Sequence, residues 1–194
     1  MDMPLDAQSD LDDEVLLVRF ANGDRDAARA LTLRLTPRVL AQATRMLRNR
    51  AEAEDVTQEA MLRLWKAAPD WRQGEAKVST WLYRVASNLC IDRLRRAPQV
   101  ALDAVPEPED DAESAEERLQ GDARMAALDA ALAELPDRQR QAVILRHIEG
   151  LSNPDIAEIM DIGVEAVESL TARGKRKLAE LLKGRRAELG YTDG

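Results

Sequence analysis

The sequence has one cysteine, one histidine and six aromatic side chains among 194 residues. A lone cysteine excludes an intramolecular disulfide and suits a reducing compartment. Cys90 sits near the apolar side of a helical segment, where it reads as a small buried hydrophobe. With only His147 beside it, the chain has no ligand set for zinc and no Cys–His dyad. His147 itself, between Arg146 and Ile148, reads as structural or solvent-facing. No glycine-rich phosphate loop is present, so no metal, no cofactor and no enzymatic activity are expected. Apolar runs fall well short of the ~20 residues that span a bilayer, which argues against membrane insertion. The opening Met-Asp-Met-Pro-Leu-Asp lacks a basic stretch followed by an apolar one, so no signal peptide and a cytoplasmic location are expected. Runs of Val, Ile, Thr or Tyr with period-two alternation are also missing, which disfavours strands. The expected fold is all-α.

What is present is charge, unevenly placed. The formal net charge is −8, yet residues 1–21 hold six acids against Arg19, and 97–118 hold eight against Arg118. From Arg173 to Arg186, by contrast, seven basic residues face only Glu180. Such asymmetry describes a molecule that binds nucleic acid locally and is repelled from it globally. Free binding to random DNA is expected to be weak.

The chain divides by composition. Residues 1–11 read as a loose N-terminus and 12–97 as a first helical domain. Its expected helices run from about Asp12 to Ala21, from Asp24 with a break or restart near Thr36-Pro37, and from about Ala53 to Ala68. A fourth is capped by Ser79 or Thr80. Residues 98–118, with Pro98, Pro106 and Pro108 in an acidic stretch, read as a linker too poor in apolar residues to fold alone. Residues 119–188 form a second domain of short helices, in which Leu128, Leu132 and Leu135 share a face and Pro136 breaks the chain.

Two segments carry nucleic-acid chemistry. In the helix over 79–96, Leu82, Val85, Ala86 and Leu89 fall together, opposite Thr80, Trp81, Arg84, Asn88 and Arg95. Arginines fit phosphate, Asn88 offers a donor and an acceptor to a base edge, and Trp81 offers a stacking surface. Residues 151–170 have helix-turn-helix spacing. Ser152 caps a short helix with Pro154 in its first turn, and Ile156, Ala157 and Met160 face inward. Asp161-Ile162-Gly163 makes the turn, and Val164, Val167 and Leu170 seat the second helix. That helix leaves Glu165, Glu168, Ser169 and Ala172 outward, followed by Arg173, Lys175, Arg176 and Lys177 for phosphate. Gly174 inside it either permits close packing or bends the basic tail.

A third segment, Ala53-Glu54-Asp55-Val56-Thr57-Gln58-Glu59-Ala60, places Asp55, Gln58, Glu59, Leu62 and Lys66 opposite Val56, Ala60, Leu64 and Ala67. Leu62 is then a large apolar residue within a polar face, as partner-binding surfaces have.

These segments, with Ser79-Thr80-Trp81-Leu82-Tyr83-Arg84 through Asp92-Arg93-Leu94-Arg95 and then Glu134-Leu135-Pro136 and Gly150-Leu151-Ser152, resemble the extracytoplasmic-function (ECF) sigma factors of bacterial RNA polymerase. The resemblance spans about Glu14 to Leu182. It implies a promoter-specificity subunit whose first domain serves the −10 element and whose second serves the −35 element. Asp55, Gln58 and Glu59 match the positions by which the family holds the β′ clamp coiled coil of core polymerase, and Leu62 beside them completes the expected polymerase-binding set. Asn88 matches a position that helps capture a base flipped from the non-template strand, and the loop from Trp71 to Lys77 is expected to help form its pocket. Arg84, Arg93, Arg95 and Arg96 would grip phosphate, although Arg93 lies near the apolar side, where it could instead make a structural contact. The implied partners are core RNA polymerase through the β′ coiled coil and the β flap, promoter DNA, and an anti-sigma factor. Glu168 and Leu170 stand where many relatives carry bases, so the −35 consensus is not transferable. Two other classes use the same shape: a decoy that binds an anti-sigma factor, and a conventional helix-turn-helix repressor. The first would lose the Arg84–Asn88 face, and the second would need dimer symmetry.

Overall fold

The computed structural model describes residues 11–72, 74, 77–96 and 115–183. Regular structure among them is helical throughout: α1 (Asp13–Ala21), α2 (Arg25–Leu47), α3 (Arg50–Ala67), α4 (Val78–Arg96), α5 (Ala115–Ala133), α6 (Asp137–Val143), α7 (Asn153–Met160) and α8 (Val164–Lys183). A 3-10 turn at Ala68–Asp70 follows α3, and a π turn at Ile144–Ile148 follows α6. The chain forms two compact units, the first holding α1–α4 and the second α5, α6, most of α7 and α8. The expected linker lies outside the described residues except at its end, where Ala115 already begins α5.

In the first unit α2 packs against α1, α3 and α4. Leu16 and Leu17 of α1, Leu31 and Met46 of α2, Val56 and Leu64 of α3, and Ala86 and Cys90 of α4 are fully enclosed. Short polar side chains start the helices. Asp24 accepts from the N–H groups of Asp26 and Ala27 at 3.0 and 3.1 Å, and Asn49 accepts from Glu52 N–H at 3.1 Å. Each such cap stabilises its helix by about 1 kcal/mol.

Three expectations are corrected here. α2 runs unbroken through Pro37. Proline leaves the Leu33 carbonyl without its helical donor, but Leu33 and Pro37 lie on the exposed side, open to solvent. Leu31, Leu35 and Val39 hold the other side in the core. α4, second, is rolled by about a quarter turn from the expected wheel. Thr80 and Ser87 enter the core with Tyr83, Ala86 and Cys90, while Val85 and Leu89 are only half-buried. The polar intrusion is supported by Gln42, wholly buried, whose Nε2 donates to Ser87 Oγ at 2.8 Å. Neither Ser79 nor Thr80 caps α4: the helix begins at Val78, and Trp81 N–H bonds to Lys77 O at 3.0 Å.

In the second unit the buried Arg140 ties the helices together. It donates to the carbonyls of Leu132, Ala133 and Leu135 at 3.0–3.1 Å, closing the C-terminal end of α5 that Pro136 terminates. α6 and α8 pack closely at Gly174. A Cβ there would lie 2.6 Å from Val143 Cγ2 and 3.4 Å from Gln139 O, so close packing is the role of this glycine. Before α7, Ser152 Oγ accepts from Asp155 N–H at 3.3 Å and donates to the Asp155 carboxylate. Ile156, Ile159 and Met160 are buried and Ala157 half-buried. The tight turn puts Asp161 at φ 52°, a left-handed conformation that aspartate tolerates. Val167, Gly174 and Leu178 form the buried line of α8, whereas Val164, off that line, is 40% exposed.

Candidate protein and nucleic-acid interfaces

The α3 surface forms as the helical wheel requires. Asp55, Gln58, Leu62 and Lys66 are exposed, with the Asp55 side chain 70% open and Leu62 45% exposed. Glu59 lies beside them, its carboxylate accepting from Arg63 Nε at 2.8 Å. That hydrogen bond, reinforced by the Arg63 charge, holds the Glu59 carboxyl below its ordinary pKa. Beside Leu62 a groove of about 340 Å³ runs between α2 and α3, lined by Thr36, Leu40, Thr57, Met61 and Trp65 among others. On α2, Leu33 stands 65% exposed. Sequence reasoning missed Leu33, though its signal was available. In Leu31-Thr32-Leu33-Arg34-Leu35 alternate leucines cannot share a helix face: Leu31 and Leu35 lie about 40° apart, and Leu33 about 160° from each. One leucine had to face out.

On α4, Arg84, Asn88, Arg95 and Arg96 are exposed, gathered on one side by the 3.6-residue repeat. Trp81 is half-buried, its ring edge-to-face with Trp71 at 5.9 Å and 84°. Part of its stacking surface is therefore already used within the protein. Arg93 is placed apart from the exposed arginines. Its Nη1 donates to Glu52 O at 3.0 Å and lies 3.7 Å from Asp55 Oδ2, linking α4 to α3. Behind this face Cys90 is enclosed, and burial pushes its thiol up to about 12.

On α8, Glu165, Glu168, Ser169, Ala172, Arg173, Lys175, Arg176 and Lys177 are all exposed. They do not form one patch. Glu165, Ala172 and Arg176 lie on the side opposite the buried line, while Lys175 and Lys177 flank it in opposite directions. Glu168 is met by Asn153 Nδ2 at 3.4 Å, and Arg173 Nε donates to Ser169 O at 3.2 Å. Lys175 borders an apolar cavity of about 210 Å³ formed by Leu128, Leu132, Val143, Ile148 and Leu178, with His147 at its edge. Partial burial lowers the His147 pKa, and the charges of Lys175 and Arg146 lower it further.

Among the described residues no group of three His, Cys, Asp or Glu side chains is placed to hold a metal ion, and no helix is long and apolar enough to cross a membrane. The surfaces suit non-covalent recognition by charge, amide and apolar contact.

Comparison with known proteins agrees with this division. Residues 31–98 match the Sigma-70 region 2 family and residues 125–178 the Sigma-70, region 4 family. The RNA polymerase sigma-H factor of Pseudomonas aeruginosa is 33% identical over 182 residues, covering 88% of this chain and 94% of that protein. The ECF RNA polymerase sigma factor SigW of Bacillus subtilis is 33% identical over 172 residues, covering 83% and 91%. The SigE factor of Mycolicibacterium smegmatis is also 33% identical, although this chain spans only 61% of its length. Among solved structures, CnrH in complex with the cytosolic domain of CnrY superposes with a TM-score of 0.65 at 27% identity, covering 89% of this chain and 97% of that one. The sigma factor RpoE of Bartonella quintana, solved with the anti-sigma factor NepR, shares the fold with a TM-score of 0.66 at 23% identity, covering 80% and 96%. The chain belongs to the ECF sigma factors of RNA polymerase, the initiation subunits that direct transcription to particular promoters.

Proposed function

We propose that the two faces of the first unit divide the work of an initiation factor between polymerase and promoter. The α2–α3 groove, lined by Leu62 and Gln58, docks the β′ clamp coiled coil together with Asp55 and Glu59 on α3 and the exposed Leu33 on α2. The single observation that carries this reading is that groove, because a large exposed leucine such as Leu62 beside an apolar channel costs solvation unless a partner covers it. On α4, Asn88 takes an extruded −10 base while Arg84, Arg95 and Arg96 hold phosphate. Arg93 supports this face through α3 rather than through DNA, which fits its bond to Glu52 O.

In the second unit, α8 enters the −35 major groove with Glu165, Glu168, Ser169 and Ala172 toward base edges, and Arg173, Arg176 and Lys177 toward phosphate. Lys175 serves the rim of the neighbouring apolar cavity, which suits the β flap. Restraint by an anti-sigma factor completes the reading, supported by the likeness to CnrH, solved with the cytosolic domain of CnrY. Action on core polymerase places the chain in the cytoplasm. It makes and breaks no bond itself.

Leu33→Asp and Leu62→Asp, each tested by co-purification with core polymerase, are expected to weaken binding about tenfold or more, the scale of a buried apolar anchor. Arg84→Ala, on the DNA face, is expected to leave co-purification unchanged. Full binding by both aspartate variants would contradict the docking assignment.

A further inference from the structure

Two inward faces are open to α4, and its apolar residues alone point to the one it does not use. At about 100° per residue, Leu82, Val85, Ala86 and Leu89 share one side. Centred on them, the helix would turn Thr80 outermost, with Ser87 about 30° from the outward direction and Asn88 about 70° to one side. The structure takes the other roll. Thr80, Leu82, Tyr83, Ala86, Ser87 and Cys90 are buried, while Val85 and Leu89 are only half-buried. The direction farthest from that buried set falls within about 30° of Asn88, which is exposed. Arg84 and Arg95 stay on the outer half of the helix in either roll, and long cations tolerate both. A short amide such as Asn88 does not.

The contact that distinguishes the two rolls is polar. Gln42, enclosed in α2, donates from Nε2 to Ser87 Oγ at 2.8 Å, and both residues are 0% exposed. In the apolar roll Ser87 would leave the core and that amide would stay behind without its partner. Strength is not what the bond supplies. Gln42 Oε1 is buried with no hydrogen-bond partner, which an apolar core would avoid. Where a buried polar contact costs stability relative to apolar packing, its best-attested use is to select one register among several.

We infer that Gln42 is a positioning residue for the outer face of α4: its hydrogen bond to Ser87 selects the roll that turns Asn88 outward. The consequence for promoter binding rests on the −10 role proposed for Asn88; the roll itself does not.

The test removes the pair from the full chain with Gln42→Leu and Ser87→Ala together, and Gln42→Met alone, which keeps the side-chain length, is measured beside it. Thr80→Cys and Val85→Cys, introduced singly, report the roll through alkylation rates under native conditions, read site by site by peptide mass spectrometry. Tryptophan-monitored urea unfolding checks that each variant is folded. Relative to the same cysteines with the pair intact, position 80 is expected to react about fivefold faster, the scale of one net buried hydrogen bond, and position 85 more slowly. General loosening would speed both, so the opposed signs belong to a roll. Any other pattern, unchanged rates included, would overturn the inference. Bound to core polymerase, the pair variant is expected to hold DNA already opened at the −10 element more weakly, as Asn88→Ala does, with polymerase binding unchanged. Full DNA affinity in the pair variant beside a weakened Asn88→Ala would also overturn it. Full affinity in both would reject the −10 role, and the two alkylation rates would still decide the roll.

Discussion

Single residues carry two opposite kinds of chemistry in this chain, and burial sorts them. Cys90 is enclosed under the α4 surface, with its thiol pushed up to about 12. At pH 8 the native protein is expected to resist iodoacetamide, while the unfolded protein reacts fully; rapid alkylation without unfolding, read by mass spectrometry, would contradict the packing. His147 responds in the other direction. Its folded pKa lies below the ordinary value near 6.5, chiefly through desolvation and then through Lys175 and Arg146. The unfolded chain therefore binds the proton first as pH falls. Stability of the second unit is unaffected above about pH 6.5 and declines as pH drops through the window below it. His147→Gln is expected to remove that decline, measured as the difference in thermal midpoint between pH 7.5 and pH 5.5. An equal decline in the variant would assign it to other groups. The sequence named both residues as non-catalytic, but His147's place beside a cavity depends on α6 and α8 meeting, which no local pattern announces.

At the scale of helices, what was legible was what periodicity controls. α3 presents Asp55, Gln58 and Leu62 as the wheel predicts, whereas on α8 only Val167 of the expected Val164, Val167 and Leu170 is buried, the line continuing instead through Gly174 and Leu178. What was illegible depended on a neighbour. Thr80 was expected on the polar face yet is buried, as is Ser87, to which the buried Gln42 donates. Pro37 looked like a break because its damage is local, whereas the apolar stripe holding α2 together comes from three surrounding helices. Gly174 was left between two roles because only the Val143 contact decides it. Gly174→Ala gains up to about 1 kcal/mol of helix propensity, but must displace a β-branched side chain at 2.6 Å, which costs about 1–3 kcal/mol. A net loss of stability is expected in the second unit, with the first untouched. Far-UV circular dichroism during urea unfolding reads it, because Trp65, Trp71 and Trp81 all report on the first unit. A stabilised variant would show that α6 and α8 have room to separate.

For the whole molecule the governing fact is charge placed against the average. A chain with a formal net charge of −8 offers its cations on α4 and along α8, so long-range repulsion is expected to oppose free DNA binding, and the proposed promoter contact then requires docking by a partner. Replacing Arg173, Arg176 and Lys177 together with alanine is expected to weaken promoter capture and to flatten its salt dependence by up to about 2.7 units of log–log slope if all three touch phosphate. An unchanged slope, from filter binding of the polymerase complex across a salt series, would remove α8's basic side from the DNA interface. The partition into two compact units was legible in composition, since a proline-bearing acidic stretch separates two apolar-periodic ones. Of the side chains proposed to meet polymerase, the sequence pointed to Leu62 but not to Leu33.

Acting as proposed, these surfaces redirect a polymerase. Run-off transcription with purified core polymerase on a promoter library tests it most directly. Adding the wild-type chain is expected to concentrate initiation at templates sharing one −10 and one −35 element, and Leu62→Asp to abolish that selection. Initiation sites identical with and without the chain would contradict it.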